Sequence, residues 1–158
     1  MFGRFVRFFR TRRQRRRFLL AAMLVALLCS KGCIVNRLRW RLFGELEVEA
    51  TAYCNCQKCC DWEFDKDGKS VYSKGKQKGL PKIVGKTSSG AMASHGTVAA
   101  DISIIPMGTR LKIPGYGIGV VQDTGGAIKG SRLDLWFPTH EAALRWGRRK
   151  LRVTKLPR

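Results

Sequence analysis

The sequence predicts a mainly β fold, a small closed barrel with one short helix, and three observations carry that reading. Apolar and polar residues alternate over several short stretches, the period of a half-buried strand. Glycine- and proline-marked turns such as IPMGT, PGYG and DTGG separate these stretches. Only PTHEAALRWG has helix spacing, with Thr139 placed as N-cap and Gly147 as its stop. Many short strands with a single helix suit a small barrel.

An N-terminal signal or membrane-anchor helix precedes the barrel. Residues 1–17 hold eight arginines, and the apolar run FLLAAMLVALLC follows at 18–29. Its 12 residues are too few to span a bilayer alone, and extension to Val35 takes in Lys31. A charged leader before a short apolar run is the pattern of an export signal. An uncleaved anchor and a cleaved signal both fit; lipoprotein and twin-arginine signals match less well, and a nucleic-acid arm is the remaining alternative. The chain divides into a leader at 1–35, a basic-aromatic linker at 36–45 and a folded domain at 46–158.

Within the domain, Leu46, Val48 and Ala50 alternate with Glu47, Glu49 and Thr51 as the first strand. Residues 61–86 are polar and lysine-rich and read as a long surface loop. EFDKDGKS there has the Asp-x-Asp-Gly core of a calcium loop, but Lys74 stands where the closing Glu belongs, which excludes that site. TVAADISI, RLKI, IGVVQD, RLDLWF and LRVTKL supply the later strands.

The net charge is +20, of which residues 1–44 carry +12. Such a balance favours an anionic polymer or surface: nucleic acid, bacterial cell wall or anionic lipid. Four cysteines crowd into CNCQKCC, at Cys54, Cys56, Cys59 and Cys60. A metal site usually takes two separated Cys pairs or Cys with His, and neither His95 nor His140 stands at such spacing. Disulfides joining Cys54 or Cys56 to Cys59 or Cys60 suit an exported chain. Metal ligation and free thiols stay open as alternatives, but no metal is expected. The two histidines read as surface or capping residues.

From Gly68 onward the chain has four acidic residues: Asp101, Asp123, Asp134 and Glu141. Asp123 before Thr-Gly-Gly suits a turn whose carboxylate accepts backbone N–H groups. Asp134 lies between leucines in a strand, where burial favours the protonated form that a general acid needs.

TAYC, GTVAAD, IPMGTRLKIPGYG, VVQDTGGAIKG and RLDLWF together resemble the 3D (three-aspartate) domain family, to which the C-terminal domain of membrane-bound lytic transglycosylase A is related. The resemblance extends over roughly residues 48–156. It implies a double-psi β-barrel in which Asp101, Asp123 and Asp134 converge on one groove. It further implies cleavage of the MurNAc–GlcNAc bond of peptidoglycan without water, Asp134 acting as acid and then base while the MurNAc C6 hydroxyl closes a 1,6-anhydro ring. On that reading Asp101 and Asp123 position the sugar, and Thr124, Gly125, Gly126, Lys129 and Trp136 are substrate-binding candidates. Trp136 stacks on a sugar or fills core space.

The implied partner is the peptidoglycan glycan strand, with the membrane engaged through the leader. No cofactor, no nucleic acid and no second subunit are expected. The implied place is the extracytoplasmic side of the bacterial envelope. A glycan-binding or wall-remodelling module without catalysis is the competing reading, since one fold serves many functions.

Overall fold

The computed structural model describes residues 33–157. Residues 1–32 of the leader expected at 1–35 lie outside the described residues; among those described, no helix is long and apolar enough to cross a membrane.

The first described element is helix α1, Cys33–Phe43. The stretch read as a linker is therefore mostly helical, and it docks on the barrel. Trp40 packs against the core, with the Lys155 ammonium 5.7 Å from its ring centre. Gly44 ends the helix at φ +66°, its N–H donating to the Trp40 carbonyl at 3.1 Å. A left-handed residue after a helix C-terminus favours glycine.

Six strands close the barrel: β1 (Glu45–Tyr53), β4 (Thr97–Ala100), β5 (Arg110–Ile113), β6 (Gly117–Asp123), β7 (Arg132–Trp136) and β8 (Arg149–Lys155). Their order is β1-β7-β4-β6-β5-β8, with β8 returning to β1. Two pairings are parallel, β1 with β7 and β4 with β6; the other four are antiparallel. The alternation read from the sequence sorts as expected. Leu46, Val48, Val98, Leu111, Ile113, Val121, Leu133, Leu135 and Val153 fill the interior, while the Glu residues of β1 face out. There Glu47 pairs with Arg152 at 2.7 Å, and Glu49 with Arg148 at 2.5 Å. Exposed pairs of this kind add little stability. Gly119 marks a tight approach: a Cβ there would sit 2.5 Å from Val98 Cγ2 and 3.0 Å from Ile113 Cδ1, so a larger residue would have to push those side chains aside.

Helix α3 (His140–Trp146) follows β7 with the expected caps. Thr139 Oγ1 accepts from the Ala142 N–H at 3.1 Å, and Gly147 closes the helix at φ +65°. One-turn helix α2 (Gln57–Cys60) lies in the cysteine cluster. The long polar segment after it is not an irregular loop. It holds a hairpin of β2 (Trp62–Phe64) and β3 (Ser70–Tyr72), then a 3₁₀ turn, Gly75–Gln77. The calcium-like Asp-x-Asp-Gly motif forms the hairpin turn. Asp65 Oδ1 accepts from the N–H groups of Asp67 and Lys69 at 2.9 and 2.8 Å, with Gly68 at φ +74°. Period-two patterning missed these strands because each is three residues long.

Candidate functional site

On the outer face of the barrel wall, β1, β7, β4 and β6 present Thr51, Asp134, Ala99 and Asp123 side by side. Asp134 is the Cα partner of Thr51 on one side and of Ala99 on the other, and Ala99 is in turn partnered by Asp123. Directly paired residues share a face of the sheet. The two carboxylates therefore flank the methyl group of Ala99, whose small size keeps the floor between them open. A register irregularity between Val98 and Ala99 re-aims the strand at this point, the local effect of a bulge.

Loops raise walls around this floor and leave a groove of about 600 Å³. One wall carries Thr124, Gly125, Gly126 and Ile128; the other carries Tyr72, Lys82, Lys86 and Ser88, with Asn55 and Cys60 at one end. In the first wall the Ile128 N–H donates to the Gly125 carbonyl at 3.1 Å. A Cβ on Gly125 would meet Ile128 Cγ1 at 2.8 Å, so this turn needs glycine.

Each aspartate has a distinct environment. Asp134 Oδ1 accepts from Thr51 Oγ1 at 2.8 Å. Burial pushes its carboxyl above the ordinary carboxylate range; the Thr51 hydrogen bond opposes that shift and the nearby Asp123 charge adds to it. Asp123 Oδ1 accepts from the N–H groups of Ser88 and Thr124 at 2.9 and 2.8 Å, and Tyr53 donates its hydroxyl to Oδ2 at 3.4 Å. It therefore pins the turn and both walls, as its position before Thr-Gly-Gly suggests. Burial, and secondarily Asp123, pushes the Tyr53 phenol up, so Tyr53 stays a neutral donor.

Asp101 departs from the expected convergence. It does not line the groove. Its carboxylate accepts from the Ser103 hydroxyl at 2.6 Å, the Ser103 N–H at 3.0 Å and the Gly130 N–H at 2.9 Å. These hydrogen bonds, the Ser103 hydroxyl foremost, hold it down to about 2. Asp101 thus anchors the far end of the glycine-rich loop from a distance.

The other candidates divide. Thr124, Gly125 and Gly126 line the groove, whereas the exposed Lys129 and the half-buried Trp136 do not. Trp136 donates its indole N–H to Asn55 Oδ1 at 2.8 Å, which ties β7 to the cysteine segment. Thr51, Tyr53, Asn55, Ser88 and Ala99 escaped the sequence reading. Strand pairing brings Thr51 and Ala99 to the aspartates, and Tyr53 and Ser88 reach Asp123 through hydrogen bonds.

The cysteine cluster also departs from expectation. Cys54, Cys56, Cys59 and Cys60 are free thiols. The Cys54 and Cys59 sulfurs stand 3.8 Å apart, against about 2.05 Å for a disulfide. His140, read as a surface or capping residue, turns Nδ1 toward three of these sulfurs: 4.0 Å from Cys54, 3.5 Å from Cys56 and 3.4 Å from Cys59. Cys60 faces away and donates to the Cys54 carbonyl. Together Cys54, Cys56, Cys59 and His140 form a set that could hold a metal ion, which spacing along the chain did not show because His140 comes from a distant part of it. Backbone pairing of Tyr53 with Trp136 brings His140 there.

Residues 96–157 match the family model of the 3D domain. Among curated proteins, the chain is 39% identical over 56 residues to YabE of Bacillus subtilis (strain 168), named for cell wall shaping; this is 35% of the chain and 14% of the relative. It is also 39% identical over 59 residues to the cell wall-binding protein YocH of the same organism, 37% of the chain and 21% of the relative. The chain thus matches only a small part of either relative. Among solved structures it is similar to MltA from E. coli, 31% identical over 52% of this chain and 29% of that one, with a TM-score of 0.39.

Proposed function

We propose, from the premise that residues 96–157 are a 3D domain, that this protein is an exported lytic transglycosylase of peptidoglycan. One observation carries the reading. Asp134 lies on an open groove, and burial pushes its carboxyl toward the protonated form, the form that can deliver a proton to a bound chain. The two parallel pairings support the double-psi description of the barrel. Lys82 and Lys86 on the wall suit an anionic glycan.

In the proposed reaction Asp134 protonates the leaving glycosidic oxygen as positive charge develops at the MurNAc anomeric carbon. The resulting carboxylate then takes the proton from the C6 hydroxyl of the same sugar, whose oxygen closes the anhydro ring. The nucleophile belongs to the substrate, so no second carboxylate and no water are required, unlike the usual two-carboxylate plan. Attack within one sugar also gains from proximity. Asp123 holds the loops, and its charge adds to the burial that favours the protonated form of Asp134. The reading predicts anhydro-MurNAc ends, detected by mass spectrometry, when the full-length protein is incubated with purified peptidoglycan. Reducing ends would mean attack by water. Binding without any product would favour the second reading, a wall-binding module, which the likeness to YocH supports.

The acid role has a signed consequence for pH. A general acid works while protonated and fails as pH rises through its pKa. Thr51→Val removes a hydrogen bond that favours the carboxylate, so the alkaline limb of the rate profile should move to higher pH. Asp123→Asn removes a like charge and should move that limb to lower pH. Shifts in the same direction in both variants would reject Asp134 as the group being titrated.

Residues 1–35 are proposed to carry the domain across a membrane and hold it there. The intact chain should then sediment with membranes and resist extraction by high salt. Recovery in the soluble fraction would argue for a cleaved leader.

A further inference from the structure

Three sulfurs and one imidazole nitrogen, drawn from two distant parts of the chain, meet outside the groove floor. All four ligand atoms of Cys54, Cys56, Cys59 and His140 lie within 4.8 Å of one another. We propose that they form a structural Zn²⁺ site of Cys₃His type.

The distances argue for a metal rather than for chance crowding. Zn–S bonds of about 2.3 Å and Zn–N bonds of about 2.0–2.1 Å in a tetrahedron require S–S edges near 3.8 Å and S–N edges near 3.6 Å. Of the three S–S edges, Cys54–Cys59 is 3.8 Å and the two to Cys56 lie within 4.8 Å; the S–N edges are 3.4, 3.5 and 4.0 Å. A disulfide would demand a sulfur pair drawn much closer and would leave the imidazole without a role. Four protein ligands with no open position are the mark of a structural zinc site. Cys54 is buried and the other three ligands are half-buried, which limits access of water. Three thiols lose their protons to solvent as three Zn–S bonds form, while the neutral imidazole supplies its lone pair.

The position of the site indicates what the metal does. Asn55 lies between two ligands. Its amide oxygen holds the Trp136 indole, and its carbonyl accepts from the Trp62 indole at 2.9 Å. His140 begins α3, and Cys59 and Cys60 stand at the end of the groove. A metal here would clamp the end of β1, the β2–β3 hairpin and α3 into one rigid groove wall. This inference does not depend on catalysis by Asp134.

The test uses the full-length protein purified without chelator, with metal measured by mass spectrometry of the digested protein. About one zinc per chain is expected for a closed site of this kind. It should be lost in Cys59→Ser and in His140→Ala, and kept in Cys60→Ser. Cobalt loaded in place of zinc should give the intense visible bands of tetrahedral thiolate coordination, a readout on the wild-type chain that does not depend on variants folding. Absence of metal, zinc that persists when Cys54, Cys56 and Cys59 are all serine, or Cys54–Cys59 found as a disulfide would each overturn the proposal.

Discussion

Asp134→Asn should lower anhydro-product formation by about 10²- to 10⁴-fold, the usual contribution of a positioned acid–base group. Asparagine has the size of aspartate, and its carbonyl oxygen can still accept from Thr51, so the barrel should keep its stability. What the variant lacks is a proton of suitable acidity. The loss should therefore appear in kcat, with retention on insoluble peptidoglycan unchanged. Cleavage at the wild-type rate would sink the enzyme reading. Loss of binding together with activity would instead assign Asp134 to holding the glycan.

The largest effect on stability is expected from Leu133→Ala. Leu133 is fully buried in β7, the strand that joins β1 to β4. Its Cα partners are Ala50 and Ala100. Neither has side-chain atoms to spare for the vacated space, so the site cannot collapse around it. Loss of transfer energy plus an unfilled cavity costs about 2–5 kcal/mol. Against a typical total of about 5–15 kcal/mol, that is enough to pull the denaturant midpoint down sharply while the slope stays constant. Leu144→Ala, on the exposed face of α3, is the matched control and should barely register.

The barrel strands and α3 were legible in the sequence because their signals are local. Alternation in LEVEA and RLDLW, the Thr139 cap and the Gly147 stop each act within a few residues, and each element formed where those signals placed it. The relation between the aspartates was only partly legible. Three aspartates at suggestive spacing imply a shared groove, but Asp101 finds three donors nearby and turns to the loop instead. The closeness of His140 to the cysteine segment was not legible for a related reason. Ligand spacing rules count along the chain, whereas His140 reaches Cys54 through strand pairing 86 positions away. Local rules describe elements well; a site assembled by parallel strands lies beyond them.

That same pairing places the chemistry late in the life of the chain. A protein made from its N-terminus holds β1 without partners until β7 and then β8 are available, and non-local pairing of this kind forms slowly. Thr51 and Asp134 are 83 positions apart, and the burial that raises the acid exists only once those strands have met. Before then Asp134 is a solvated carboxylate without the burial that favours its protonated form. On the proposed reading a half-made chain lacks that environment, and closure of the barrel is what completes the acid.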